Sequence, residues 1–313
     1  MRTQIKTKPL HKIRKLDRNQ LYLWSLCIIP MIFVFVFSYL PMGGLVLAFK
    51  KYNYSQGIFK SPWAGLNNFK YFVLSSDFTR VTWNTIYMNF LFIVFGVATS
   101  LFVAILLFEL RSRNVTKTYQ TLLITPHFLS WVVVAYMAYA ILHPQNGFLN
   151  VIIQNLGGQK IDWYLKPEAW PIILVIASVW KCVGMDSVVY YAAMMGIDSS
   201  LYEAAEIDGA NKWQRTRYIL IPCLANLIII LVILKIGGIF RADFGLFYQL
   251  PRNVGKLYAT TDVIDTYIFR AMRVNGNIGM SSAAGLLQSV VGFLLVLFTN
   301  WCAKKFDQDN ALF

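Results

Sequence analysis

Six stretches of this 313-residue chain stay apolar for about twenty residues or more. That length is what a bilayer demands, because a hydrocarbon core about 30 Å thick, crossed at about 1.5 Å per residue, needs roughly 20 apolar residues in helix. We place spans near residues 21–40 or on to 49, 83–108, 121–142, 170–195, 219–240 and 281–303. The predicted fold class is therefore all-α and polytopic, with six transmembrane helices. The first run is too long for the roughly 7 to 15 residues of a signal-peptide core, and no small-x-small cleavage site precedes Pro41. It reads as a retained helix.

Composition enters at this point: 57% hydrophobic and 14% charged residues fall outside the range of ordinary soluble domains. A net charge of +14 raises nucleic acid as a partner, but many of the Lys and Arg flank apolar runs, where membrane lipid explains them better. No nucleic-acid role is expected. The four cysteines lie in or at the ends of apolar stretches and the three histidines lack ligand spacing, so neither disulfide nor metal site is predicted.

An even number of spans puts both termini on one side. The basic tail over 1–20 (Arg2, Lys6, Lys8, Lys12, Arg14, Lys15, Arg18), the short loop with Arg111, Arg113 and Lys117, and Lys304 and Lys305 in the tail over 304–313 all mark that side as cytoplasmic. The multi-pass domain covers 21–303. Five basic residues between 42 and 82 run against the count, though longer loops cross with less regard for charge.

That orientation makes 196–218 a cytoplasmic loop and 241–280 a long outer one. The cytoplasmic loop codes two short helices: Ser200 and Glu203 have the spacing of a capping box, Gly209 stops the first helix, and Asn211 caps a second that runs to Pro222. Ala204 and Ala205 remove bulk, so another protein's surface can approach closely, with Glu203 at the rim. The alternative is an amphipathic helix resting on headgroups. Against it, Asp198, Glu203, Glu206 and Asp208 all precede the first base of the loop, and an anionic leaflet repels them.

Glu203-Ala204-Ala205, three residues, Gly209, nine residues and then Ile219-Leu220-Ile221-Pro222 resemble the signature loop of the membrane subunits of binding-protein-dependent ABC importers; only Ile221 departs, where the family mostly has leucine. The wording LYEAAEIDGANKWQ is similar to the carbohydrate-uptake class. Further stretches, TLLITPHFLSWVVVAYM, WKCVGMDSVVYYAAMMGID, RADFGLFYQLPRNVGKLYATTDVIDTYIFR and AAGLLQSVVGFLLVLFTNW, resemble its oligosaccharide and polysaccharide-fragment subgroup, the aldouronate-type permeases. Ser199 stands where that subgroup often has proline.

The resemblance implies a maltose-permease-like subunit in the bacterial cytoplasmic membrane, paired with a second related permease, two ATP-hydrolysing subunits and an extracytoplasmic sugar-binding protein. It assigns Glu203, Ala204, Ala205, Asp208, Gly209, Ile219 and Pro222 to coupling with the ATPase. The chain itself is expected to be non-catalytic: its one Gly-Lys pair, Gly255-Lys256, has Leu250 and Leu257 where a phosphate loop needs glycine and a hydroxyl. ATP and Mg would be held by the partner ATPase subunits, with no cofactor bound here.

The substrate path is read from polar and aromatic residues in the spans. Lys181 and Asp186 are costly in lipid and sit about 140° apart on one helix, so they do not pair with each other; each either bonds a neighbouring helix or meets sugar. Lys235 is expected to snorkel. Trp180, Tyr190, Asn84, Tyr87 and Tyr136 complete the candidate path. In the outer loop, Tyr248, Arg252 and Lys256 offer a landing surface for a binding protein, the alternative being a loop packed on its own neighbours. Two other readings are weighed: an importer of a non-sugar solute, and a secondary transporter, for which no repeat of three spans with broken helices is visible. For an enzyme, no nucleophile, base and orienter stand in motif order.

Overall fold

The computed structural model describes residues 18–110 and 112–306. Residues 1–17, Arg111 and 307–313 lie outside that range, and with them most of the N-terminal basic charges that argued for orientation. Contacts divide the chain after Val46. The first unit holds helix α1 (Arg18–Val34) and a π turn at Phe35–Tyr39; the tighter helical stretch that follows, Leu40–Phe49, runs across the division. The apolar run is Trp24–Phe49, 26 residues, the longer of the two expected lengths.

The second unit is built on α2 (Ser76–Phe108), α3 (Arg113–Ile124), α4 (Trp131–Leu142), α5 (Trp170–Met195), α6 (Ser199–Ile207), α7 (Ile221–Gly237), α8 (Ile264–Arg273) and α9 (Ile278–Phe306). The pair α2 and α5 makes the most extensive helix contact among the described residues. Long outward-facing side chains such as Phe90, Phe102, Ile172 and Phe293 stay exposed, as an apolar solvent allows. Five helices are long and apolar enough to cross a membrane, six if a bent pair counts as one span.

That bent pair corrects the third predicted span. It does not run straight over 121–142: it enters as α3 from Arg113, breaks at Thr125–Phe128 and leaves as α4 after a bend of 97°. Pro126 has no N–H to continue the ladder, and the Ser130 hydroxyl caps the new helix by accepting from the Val133 N–H. Arg113 and Lys117, read as loop, are therefore helical.

The break frees carbonyls inside the bundle, and a lysine from another helix takes them. Lys181 of α5, only 8% exposed, donates through Nζ to the carbonyls of His127 (2.7 Å), Leu129 (2.6 Å) and Pro126 (3.5 Å). Three residues on, Gly184 makes room for α3, since a Cβ there would fall 2.0 Å from the Leu123 carbonyl oxygen. No larger residue fits that crossing.

The stretch 241–280 is a packed layer. Short helices Phe244–Gln249 and Tyr258–Thr261 lead into α8, and Leu246, Phe247, Leu250, Leu257, Val263 and Ile264 are buried. They close over the Trp170 end of α5 and the Ser76 half of α2.

Candidate functional site

The loop between α5 and α7 is shaped by caps. Asp198, not Ser200, starts α6: its carboxylate accepts from the Ser200 N–H at 3.0 Å. That bond holds the Asp198 carboxyl below its ordinary range. The predicted Ser200–Glu203 capping box is thus replaced by a cap two residues earlier. A carboxylate is the stronger acceptor for orphan N–H groups at a helix start. Ser199 becomes the first helical residue, where a proline fits equally well.

Gly209 ends α6 at φ +76°, a left-handed conformation that glycine adopts without strain. The Ala210 N–H then closes on the Ala205 carbonyl at 2.9 Å. Asn211 and Gln214 cap one another's backbone at 2.9 and 2.8 Å, as expected for Asn211. From Lys212 the helix is continuous to Gly237. Its one irregularity is a π turn at Thr216–Leu220, containing Ile219 and placed just before Pro222, whose missing N–H suits a widened turn.

Two contacts tether this loop to the end of α2: Lys212 pairs with Glu109 at 2.8 Å, and the rings of Tyr202 and Phe108 lie 5.7 Å apart. Within the loop, Arg215 approaches Glu206 at 3.8 Å. Between them is a cleft of about 340 Å³. No side chain of α6 is buried. Glu203, Ala204, Asp208 and Gly209 are exposed, Ala205 is partly so, and Ile207 and Trp213 stand 87% and 69% open. Apolar side chains so open beside a run of acids form a surface with space for a partner.

Deeper in the bundle, Asp186 of α5 pairs with Lys235 of α7 at 2.8 Å. Lys235 therefore does not snorkel: a partner 2.8 Å away inside the bundle compensates both charges better than a long reach to the interface. The pair borders a cleft of about 230 Å³ with Asn89, Ser100, Ser178 and Cys182. Asn89 was not singled out from sequence; its amide bonds the Thr85, Ile239 and Arg241 carbonyls, holding the far end of α7 to α2. The other candidates scatter. Asn84 is buried and bonds the Ala259 and Asp262 carbonyls, Tyr190 is buried between α2 and α7, Tyr87 stacks on Trp83, and Trp180 lines an apolar groove against α4.

At the Trp170 end the chain hides a charge. Asp262 is 1% exposed and receives Arg270 at 2.6 Å, Arg80 at 3.1 Å and the Thr266 hydroxyl at 2.9 Å. Arg80 also pairs with Asp77. Beside this network, Tyr248 stacks on Phe244 and meets Phe269 edge-on, the Arg252 guanidinium lies 4.1 Å above the Tyr139 ring, and Lys256 is exposed. Arg252 and Asn253 both adopt left-handed backbone, φ +54° and +52°, at a cost of about 1–2 kcal/mol each. Tyr164, whose hydroxyl reaches the Leu250 carbonyl, is pushed up to about 12 by burial.

Comparison with known proteins follows the same outline. Residues 96–308 match the family described as binding-protein-dependent transport system inner membrane component. The chain is similar to Protein LplB of Bacillus subtilis, 34% identical over 92% of this chain and 90% of that protein. It is also similar to the polygalacturonan/rhamnogalacturonan transport system permease protein YteP of the same organism, 32% identical over 93% and 90%. Among solved structures it resembles a chain of a bacterial ABC transporter involved in the import of the acidic polysaccharide alginate, with TM-score 0.83 and 31% identity over 93% and 97% of the two chains. A bacterial alginate ABC transporter in complex with an alginate pentasaccharide-bound periplasmic protein gives TM-score 0.82 and 31% identity over 92% and 96%.

Proposed function

The chain belongs to the binding-protein-dependent transport system inner membrane components, multi-pass and non-catalytic subunits of the cytoplasmic membrane, and from that premise we propose that it imports polysaccharide-derived oligosaccharides as half of an ATP-driven translocation path. The other half is a second, related permease. Two ATPase subunits, holding ATP and Mg, sit below, and a glycan-binding protein delivers from above.

The observation that carries this reading is α6: capped at both ends, tethered to the end of α2, yet with none of its own side chains buried. A short helix that keeps its shape while packing little more than Tyr202 onto the bundle is presented to something else. Ala204 and Ala205 let a groove of the ATPase close on it, Glu203 and Asp208 supply charge at the rim, and Gly209 sets the turn into the second short helix.

Movement of α6 has two direct outlets. Backward, Gly196 to Asp198 alone separate it from α5; forward, the unbroken helix from Lys212, through Ile219 and Pro222, carries it into α7. These two helices hold the Asp186–Lys235 pair, so a push on α6 reaches the cleft at mid-bundle from both sides. Asp186 and Trp180 remain candidate contacts along the path, whereas Lys181, with its ammonium engaged by three carbonyls, serves the bend.

The test is ATPase activity of the complex reconstituted in lipid with the partner permease, ATPase and binding protein, over neutral and acidic oligosaccharides. Hydrolysis stimulated several-fold by a glycan class is expected. A complex that assembles but responds to no oligosaccharide, while responding to another solute, would sink the glycan reading.

A further inference from the structure

Two sets of residues that sequence reading kept apart meet in one cleft at the Trp170 end. Tyr136, read as substrate path, and Tyr248 and Arg252, read as docking surface, border the same hollow of about 240 Å³ with Tyr139, Gln249 and Asn253. Tyr136 is 68% exposed. The Arg252 guanidinium carbon sits over the Tyr139 ring, 4.1 Å from its centre, and among the described residues no carboxylate or carbonyl takes its N–H groups. Gln249 likewise keeps its side-chain amide free, while Asn253 uses only its oxygen, accepting from the Tyr258 hydroxyl at 2.8 Å.

Strain adds to the case. Two consecutive non-glycine residues in the left-handed region persist only where surroundings over-determine them, and such residues cluster at ligand clamps. Here the Tyr258 bond and the Arg252 N–H to the Gln249 carbonyl at 3.1 Å hold the turn. Without that turn, Arg252 would not be delivered onto Tyr139.

We infer that this cleft is a subsite for one acidic sugar unit of an incoming glycan. The apolar face of a pyranose ring rests on Tyr136, the Arg252 guanidinium receives the carboxylate through paired N–H bonds, and the amides of Gln249 and Asn253 donate to ring hydroxyls. Arginine suits this task because stacking on an aromatic face leaves its edge donors free. The volume lies below the roughly 300–1,000 Å³ of pockets that enclose a whole drug-sized ligand, which fits a single unit of a longer chain. The inference rests on the glycan-import reading and narrows it to uronate-containing substrates.

The experiment uses the reconstituted full complex with a galacturonate trimer and its methyl ester, which removes the negative charge and keeps the rings. Arg252→Gln should raise the half-saturating concentration of the free-acid trimer by about tenfold, the weight of one charge-assisted bond, and leave the ester unchanged. Tyr136→Ala should weaken both trimers several-fold, and Arg252→Lys should recover only part of the loss. Equal response of wild type and Arg252→Gln to the acid overturns the subsite while leaving glycan import standing. Equal weakening toward acid and ester, together with reduced docking of the unloaded binding protein, also overturns it, since Arg252 would then serve a protein surface. Stimulation by neither trimer, with a non-glycan solute active, removes the import reading itself.

Discussion

Residues 196–218 and 241–280 look alike as text, each a charged and aromatic interval between apolar spans, yet they behave oppositely in the folded chain. The first folds into capped helices with no side chain of α6 buried; the second sinks Leu246, Phe247, Leu250, Leu257 and Ile264 into the core and spends its charges on one another. In the first, Glu206 and Glu109 meet their bases at the surface. In the second, Asp262 meets two arginines in the interior. Charge content alone does not separate an interval that faces a partner from one that faces inward; what separates them is whether the charges meet their partners in the interior or at the surface.

Removing Asp262 breaks the contrast from the packed side and should have the largest effect. Asp262→Ala leaves Arg80 and Arg270 half-buried without their shared carboxylate, which costs about 3 kcal/mol, at the low end for a broken buried pair because both arginines keep some exposure. Thermal unfolding in detergent should drop by several degrees; an unchanged midpoint would mean that the network is ornamental.

Ala205→Trp attacks the exposed side. It should leave that midpoint nearly unchanged and reduce glycan uptake about a hundredfold, within the usual range of coupling energies, with the permease still inserted. Loss of stability instead of uptake would place α6 among the packed elements and erase the distinction.

Lys212→Ala sharpens the comparison at its small end. The Lys212–Glu109 pair is surface-exposed, with 70% of the lysine side chain open, and such pairs contribute about 0–1 kcal/mol. Unfolding should shift by less than the resolution of most melts, and uptake by less than about twofold. A large drop would show that the tether transmits force.

The apolar spans were legible because length and composition are enough to place them, and the second coupling-loop helix was legible because Asn211 and Gln214 act over a few residues. The bend at Pro126 was not. Proline in a span is common in membrane helices and is tolerated when a neighbour takes up the freed carbonyls. The neighbour is Lys181, 52 to 55 residues away in sequence. Its charge drew notice as a substrate contact for the same reason it works as a staple: a cation in lipid must bond something. Asp262 went unsingled because its partners lie 8 and 182 residues off. The cap at Asp198 was missed for a local reason, the choice between two acceptors within three residues.

Gly184 and Leu123 touch backbone to backbone, beside the lysine that fixes the bend. A rigid rod held at one point turns about it. Gly184 lies eleven residues, about 16 Å, from the Met195 end of α5 that leads into α6, and fourteen residues, about 21 Å, from the Trp170 end under the packed layer. Crossing at that glycine makes α5 a lever with a built-in fulcrum, in which a displacement at the α6 end returns at the Trp170 end with opposite sense and somewhat greater reach.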